Sequence, residues 1–130
     1  MQEVYDFLKK CGVFYLATID NDRPRIRPFG ALNIFEGKLY LQTGKVKNVS
    51  KQIAINPYVE LSGMADGRWI RVEGKLVEDE RLVAKESMLE ANPELKQIYS
   101  AKDDNTQVLY FVNAKATIYS FTSEPIVIEF

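Results

Sequence analysis

Histidine is absent from this 130-residue chain, cysteine occurs once, and no apolar run approaches the length of a membrane span. The first absence removes Ser-His-Asp and Cys-His catalytic arrangements, a proximal haem histidine and the usual imidazole metal sites. Cys11 alone cannot close an internal disulfide, nor can it build a multi-cysteine zinc or iron–sulfur site from one chain. No metal site is expected, and no side chain stands out as a general base. Glycine-rich phosphate motifs of the G-x-G-x-x-G or P-loop kind are also missing, which argues against a Rossmann or P-loop protein. Met1–Cys11 has neither the basic start nor the apolar stretch of a signal peptide, so the expected location is the cytoplasm. A chain without the commonest acid–base residue is either not an enzyme or one whose cofactor carries the reaction.

What the chain does have suits one compact domain over residues 1–130, with 46% hydrophobic and 27% charged residues. The net charge of −1 hides an asymmetry: between Arg23 and Lys51 seven basic residues stand against one acid, Glu36. A local basic segment in an otherwise acidic chain suits a small anionic ligand. A nucleic-acid binder would present a dominating basic face.

Val4, Phe7, Leu8 and Cys11 follow the spacing of an amphipathic helix that lies as a lid on the rest. Cys11 on that stripe reads as a small buried hydrophobe. Val13–Ile19 and Arg25–Phe35 read as strands around an Asp20–Pro24 turn, and Lys38–Thr43 follows a tight Glu36-Gly37 turn. The first strand is apolar on both faces, so a core and either a helix or a second subunit should cover it. Val46, Val49 and Ile53 have helical spacing until Asn56-Pro57. Tyr58–Met64 and Arg68–Val77 make a second hairpin across Asp66-Gly67. The acids Glu78, Asp79 and Glu80 are placed at the start of a helix running to about Ala91, with a short helix near Glu94–Tyr99. Gln107–Phe121 is a long run of β-formers, followed by a tail with alternating Ile126, Ile128 and Phe130. Strands joined by hairpins and a single-helix crossing favour a small antiparallel barrel with attached helices, mainly β, over a parallel α/β sheet.

The chemistry concentrates between Arg25 and Lys51. Arg25 and Arg27 alternate onto one strand face, with their guanidinium groups about 7 Å apart along the strand. Pro28 fits an edge or bulge, and Gly30 admits close approach of a planar ligand. Thr43-Gly44-Lys45-Val46-Lys47-Asn48 forms a strand–turn–helix junction, where free N–H groups and lysines suit a phosphate monoester. Lys47 and Lys51 share one helical side. Taken alone, Lys38 and Lys51 read as ordinary solvated surface, and Trp69 as filler of a core or an interface.

In order and spacing, several segments resemble the pyridoxamine-phosphate-oxidase-like split barrels that bind flavin mononucleotide (FMN). They are Arg25-Ile26-Arg27-Pro28, Gly37 to Lys45, Asn48 to Gln52, Asn56 to Leu61 and Trp69-Ile70-Arg71-Val72-Glu73-Gly74. The resemblance implies a six-stranded antiparallel split barrel in a homodimer, with FMN in clefts between the subunits. It also implies that Arg25, Arg27 and Pro28 border the ring or the ribityl-phosphate chain, and that Thr43, Lys45, Lys47 and Asn48 hold ribityl and phosphate oxygens. Trp69 and Arg71 of the other subunit would close the remaining side. The end of the chain, Ser120–Phe130, lacks the basic, histidine-containing motif of the vitamin-making oxidases, so the likeness does not carry pyridoxamine-phosphate oxidation with it. The short general-stress and nitroimidazole-resistance-like branches fit better in length, although the characteristic histidine of the latter is missing.

Two functions follow from that likeness: an FMN-dependent oxidoreductase acting on a small molecule, with NAD(P)H or a partner as electron source, or a non-catalytic carrier of FMN or haem. A third reading, a nucleic-acid module on a five-stranded barrel, has against it the acidic remainder and the absence of paired aromatics on a basic strand.

Overall fold

The computed structural model describes residues 1–130. Helix α1 (Gln2–Cys11) buries Val4, Phe7 and Leu8, the face its spacing marked, and packs against β1 (Phe14–Asp20), β3 (Leu32–Phe35) and β5 (Tyr58–Ala65) in a shared core. The other strands are β2 (Arg23–Phe29), β4 (Lys38–Gly44), β6 (Arg68–Asp79), β7 (Thr106–Tyr119) and β8 (Ile126–Glu129). Helix α2 (Asn48–Ile55) crosses from β4 to β5, and α3 (Leu82–Ala91) from β6 towards β7.

All pairings are antiparallel, in the order β2-β1-β5-β6-β7-β4-β3. The long β7 divides its second edge, giving Thr106–Tyr110 to β4 and Lys115–Ile118 to β8. Phe14 and Leu16 near one end of that order share a core with Leu32, Leu39 and Leu41 near the other. The sheet therefore curls around its interior without closing, which is the split-barrel form of a mainly β protein.

There are eight strands where six were expected. The single strand foreseen over Arg25–Phe35 is broken at Gly30-Ala31 into β2 and β3, which lie at opposite edges of the sheet. The tail supplies the eighth. Pro24 and Pro28, which have no N–H to donate, sit on edge strand β2, where the missing donors cost no ladder bond.

Three other expectations are corrected. Glu78 and Asp79 do not open a helix; they extend β6 opposite Leu109 and Val108, and α3 begins at Leu82 with no acid in its first turn. Asp79 is instead drawn into a side-chain network with Tyr40 and Arg81. Val46 lies outside α2 and is exposed, leaving Val49 and Ile53 to seat the helix. The short helix after Asn92 is a 3₁₀ turn over Pro93–Gln97.

The hairpin turns Glu36-Gly37 and Asp66-Gly67 form as read, with both residues of each at positive φ. Gly74 has another purpose. It lies at the register shift between Glu73 and Lys75, and a Cβ there would meet Ala114 Cα and Cβ at 3.1 Å and Phe111 Cδ1 at 3.3 Å. Backbone atoms of β7 have little room to retreat, so Gly74→Ala is expected to lower stability by about 1–3 kcal/mol. Urea unfolding checks this; an unchanged midpoint would show that the bulge relaxes freely.

Candidate anion-binding cleft

Strand alternation gives β1 and β2 two distinct faces. Leu16 and Thr18 point inward, opposite Arg27 and Arg25, whereas Tyr15, Ala17 and Ile19 point outward with Pro28, Ile26 and Pro24. The arginines therefore meet α2 at one end of the barrel. Along α2, Asn48, Lys51, Gln52 and Ile55 recur at helical spacing on the side away from Val49 and Ile53.

Between the two elements lies an open cleft of about 740 Å³ lined by Arg25, Arg27, Lys47, Asn48, Lys51 and Gln52, together with Asp20 and the edge residues Ile19 and Ile26. A second cleft of about 520 Å³ adjoins it through Arg27, Lys47 and Val49, and is walled by Pro28, Thr43, Leu95 and Tyr99. No side chain caps the N-terminus of α2. The backbone donors of its first turn thus have no side-chain acceptor and add to the positive potential of the cleft. The approach to the helix is braced by Asn105, whose carbonyl accepts from Lys45 N at 2.7 Å and whose side-chain oxygen accepts from Val46 N at 3.2 Å.

Arg27 is fixed by three bonds. Its Nη1 donates to the Leu16 carbonyl at 3.1 Å and to Thr18 Oγ1 at 2.8 Å, and Nη2 donates to Gln52 Oε1 at 2.7 Å. The Thr18 hydroxyl in turn donates to Gln52 Oε1 at 2.6 Å. Burial, and after it the charge of Arg25, pulls the Arg27 guanidinium below its ordinary value. Arg25 is more open and pairs with Asp20 at 3.0 Å.

Of the residues singled out in the sequence, the structure gathers Arg25, Arg27, Lys47 and Asn48 in the first cleft and Pro28 and Thr43 in the second. Lys45 turns aside towards Glu78, 3.8 Å away. Trp69 and Arg71 lie on the outer face of β6, where Trp69 stacks on Tyr119 (5.5 Å, 16°) and Arg71 binds Glu60 at 2.7 Å. One chain does not bring them to the cleft. Lys51, read in isolation as solvated surface, lines it, and the four-residue spacing from Lys47 was the available signal. Lys38 rests over the Tyr110 ring. Thr18 and Gln52 were missed; their partnership with Arg27 joins three elements and leaves no local pattern.

An antiparallel barrel left open at its edges, with a cationic cleft where a strand edge meets a helix N-terminus, is a split barrel. A family model for pyridoxamine 5'-phosphate oxidase matches residues 1–115, and the chain belongs to that family. A crystal structure of a NimC/NimA family protein from Clostridium acetobutylicum is 46% identical, with a TM-score of 0.98 over 100% of this chain and 92% of that one. General stress protein 26 from Bacillus anthracis shares the fold at 21% identity and a TM-score of 0.74, covering 98% of this chain and 97% of its own. So does a haem-binding protein from Mycobacterium smegmatis, at 14% identity and 0.75, covering 95% and 55%. Among curated proteins, none matches. No helix is long and apolar enough to cross a membrane.

Proposed function

We propose that the chain is an FMN-binding flavoprotein that works as a homodimer and passes hydride to or from a small molecule. The observation that carries this reading is the convergence of Arg25, Arg27, Lys47 and Lys51 on one cleft beside an uncapped helix N-terminus. A phosphate monoester with nearly two negative charges matches such a donor set, and the volume lies in the range of roughly 300–1,000 Å³ usual for small-ligand sites. Membership of the pyridoxamine 5'-phosphate oxidase family supports flavin as the rest of the ligand.

Under this reading Arg27 and Lys47, which border both clefts, hold the phosphate end, with Arg25, Lys51 and Asn48 around it. Thr43 and Pro28 border the adjoining cleft, where the remainder of the cofactor is accommodated. When bound, FMN would supply the hydride acceptor and donor, a role that no side chain of the chain can take. The guanidinium and ammonium groups lower the cost of negative charge near the cofactor, and the barrel wall excludes water from one side of it.

A second subunit is supported by the outer face. Tyr15, Ile19, Ile26, Tyr58 and Met64 are exposed there, Ile26 and Met64 to 69% and 66%. Large exposed apolar side chains gathered on one sheet face, here around the Glu60–Arg71 ion pair, support an interface. Trp69 is opposite Met64 in the β5–β6 pairing, so it and Arg71 share that face and would reach the cleft of a partner.

The test is the visible spectrum and solution mass of the purified protein on addition of FMN. One FMN per chain in a dimer, reduced by NAD(P)H and reoxidised by a quinone or nitro compound, is the expected result. Binding without reduction would make the protein a carrier, and no uptake would overturn the flavin assignment.

A further inference from the structure

Four of the six arginines make side-chain hydrogen bonds, and these four are held in two different ways. Arg25, Arg71 and Arg81 each bind a carboxylate: Asp20, Glu60, and the pair Asp79 and Glu36. Arg27 makes three side-chain bonds, yet its acceptors are a carbonyl, a hydroxyl and an amide, all neutral. The contrast shows in the proton affinities. Glu60 raises the Arg71 guanidinium above its ordinary value, whereas Arg27 is lowered, by burial first. A guanidinium can only donate, so the Gln52 amide must present its oxygen, and the Thr18 hydroxyl, donating to that oxygen, fixes the amide in turn.

We infer that Gln52 is a positioning residue: its neutral amide, locked by Thr18, orients Arg27 without cancelling its charge and so reserves that charge for the phosphate of the ligand. A carboxylate at this position would hold the guanidinium equally well and compete with the phosphate for it. Carboxylate–guanidinium pairs are stronger than amide–guanidinium ones, so the choice of the weaker holder is explained by binding and not by stability. The inference rests on the proposed flavin reading for its choice of ligand, though not for the charge argument itself.

Gln52→Glu separates the two roles. FMN and riboflavin, which lacks the phosphate, are titrated by flavin fluorescence into wild type and variant, with thermal unfolding alongside. The variant is expected to bind FMN about tenfold or more weakly relative to riboflavin, with a melting temperature no lower than that of wild type. An unchanged FMN-to-riboflavin preference would overturn the inference, because a purely structural Gln52 would move both flavins and the melting temperature together. Should the Glu variant not fold, Gln52→Met removes the acceptor while leaving the cleft's charge. Its FMN preference should also fall, and an unchanged one counts against the proposal equally. If wild type takes up neither flavin, the flavin reading alone has failed, and inorganic phosphate becomes the probe. A phosphate-induced rise in wild-type melting temperature that Gln52→Glu loses would sustain the inference; no response in wild type, or the same response in both, would end it.

Discussion

Arg27→Met is expected to weaken FMN binding about thirtyfold or more, since removing one member of a desolvated charge pair costs about 2–5 kcal/mol and each 1.4 kcal/mol is tenfold. The effect should exceed that of Arg25→Met, because Arg25 is more exposed and already shares its charge with Asp20. Arg27→Lys should fall between them. An ammonium keeps the charge but not the planar fork that spans Leu16, Thr18 and Gln52. Met replaces the aliphatic stem of Arg27 but not its guanidinium, so Leu16, Thr18 and Gln52 each lose the bond it donates. Isothermal titration with FMN measures all three variants. Equal losses at Arg25 and Arg27 would mean that the cleft acts only through its summed charge, and that the fixed orientation of Arg27 is irrelevant.

The parts of this site that local sequence could reveal are those whose cause is local. Alternation places Arg25 and Arg27 on one face, and the change of period after Gly44 announces a strand–helix junction rich in lysine. The turns at Glu36-Gly37 and Asp66-Gly67 are likewise set by the residues in them. What escaped was decided by distant partners. Glu78 and Asp79 look like the acidic opening of a helix, but ladder bonds to β7 keep them extended, and Tyr40, 39 residues away, claims the Asp79 carboxylate. Gln52 had no distinguishing neighbour in sequence; its importance arises because Thr18, 34 residues earlier, folds against it. Trp69 and Arg71 remain apart from the cleft within one chain. They lie on the same outer face of the sheet as Tyr15, which is half exposed and which the two-sided hydrophobicity of β1 marked for cover by a helix or a second subunit.

Asp79→Ala should cost about 1–3 kcal/mol of stability, chiefly through the buried hydroxyl it leaves unpaired. The carboxylate is only 8% exposed and is the meeting point of four bonds. Tyr40 Oη donates to Oδ2 at 2.8 Å, Arg81 Nη2 to Oδ2 at 2.9 Å, and both Arg81 Nε and its backbone N to Oδ1 at 3.1 Å. Removing it leaves the fully buried Tyr40 hydroxyl without an acceptor and frees Arg81, which otherwise ties β6 to Glu36 at 2.6 Å. Tyr40→Phe should cost less, about 1 kcal/mol, because it removes one bond and leaves no buried donor. The same network gives a pH signature. Hydrogen bonds from Arg81 first, and from Tyr40, hold the Asp79 carboxyl far below the ordinary carboxylate range despite its burial. A depressed folded-state value adds stability that is complete above the unfolded-state value of about 4 and is lost as pH falls below it. Denaturant midpoints for wild type should therefore drop between about pH 4 and pH 2 more steeply than those of Asp79→Ala. Parallel slopes would show that Asp79 is no more stable as an anion in the fold than in the unfolded chain, and that the network acts through packing alone.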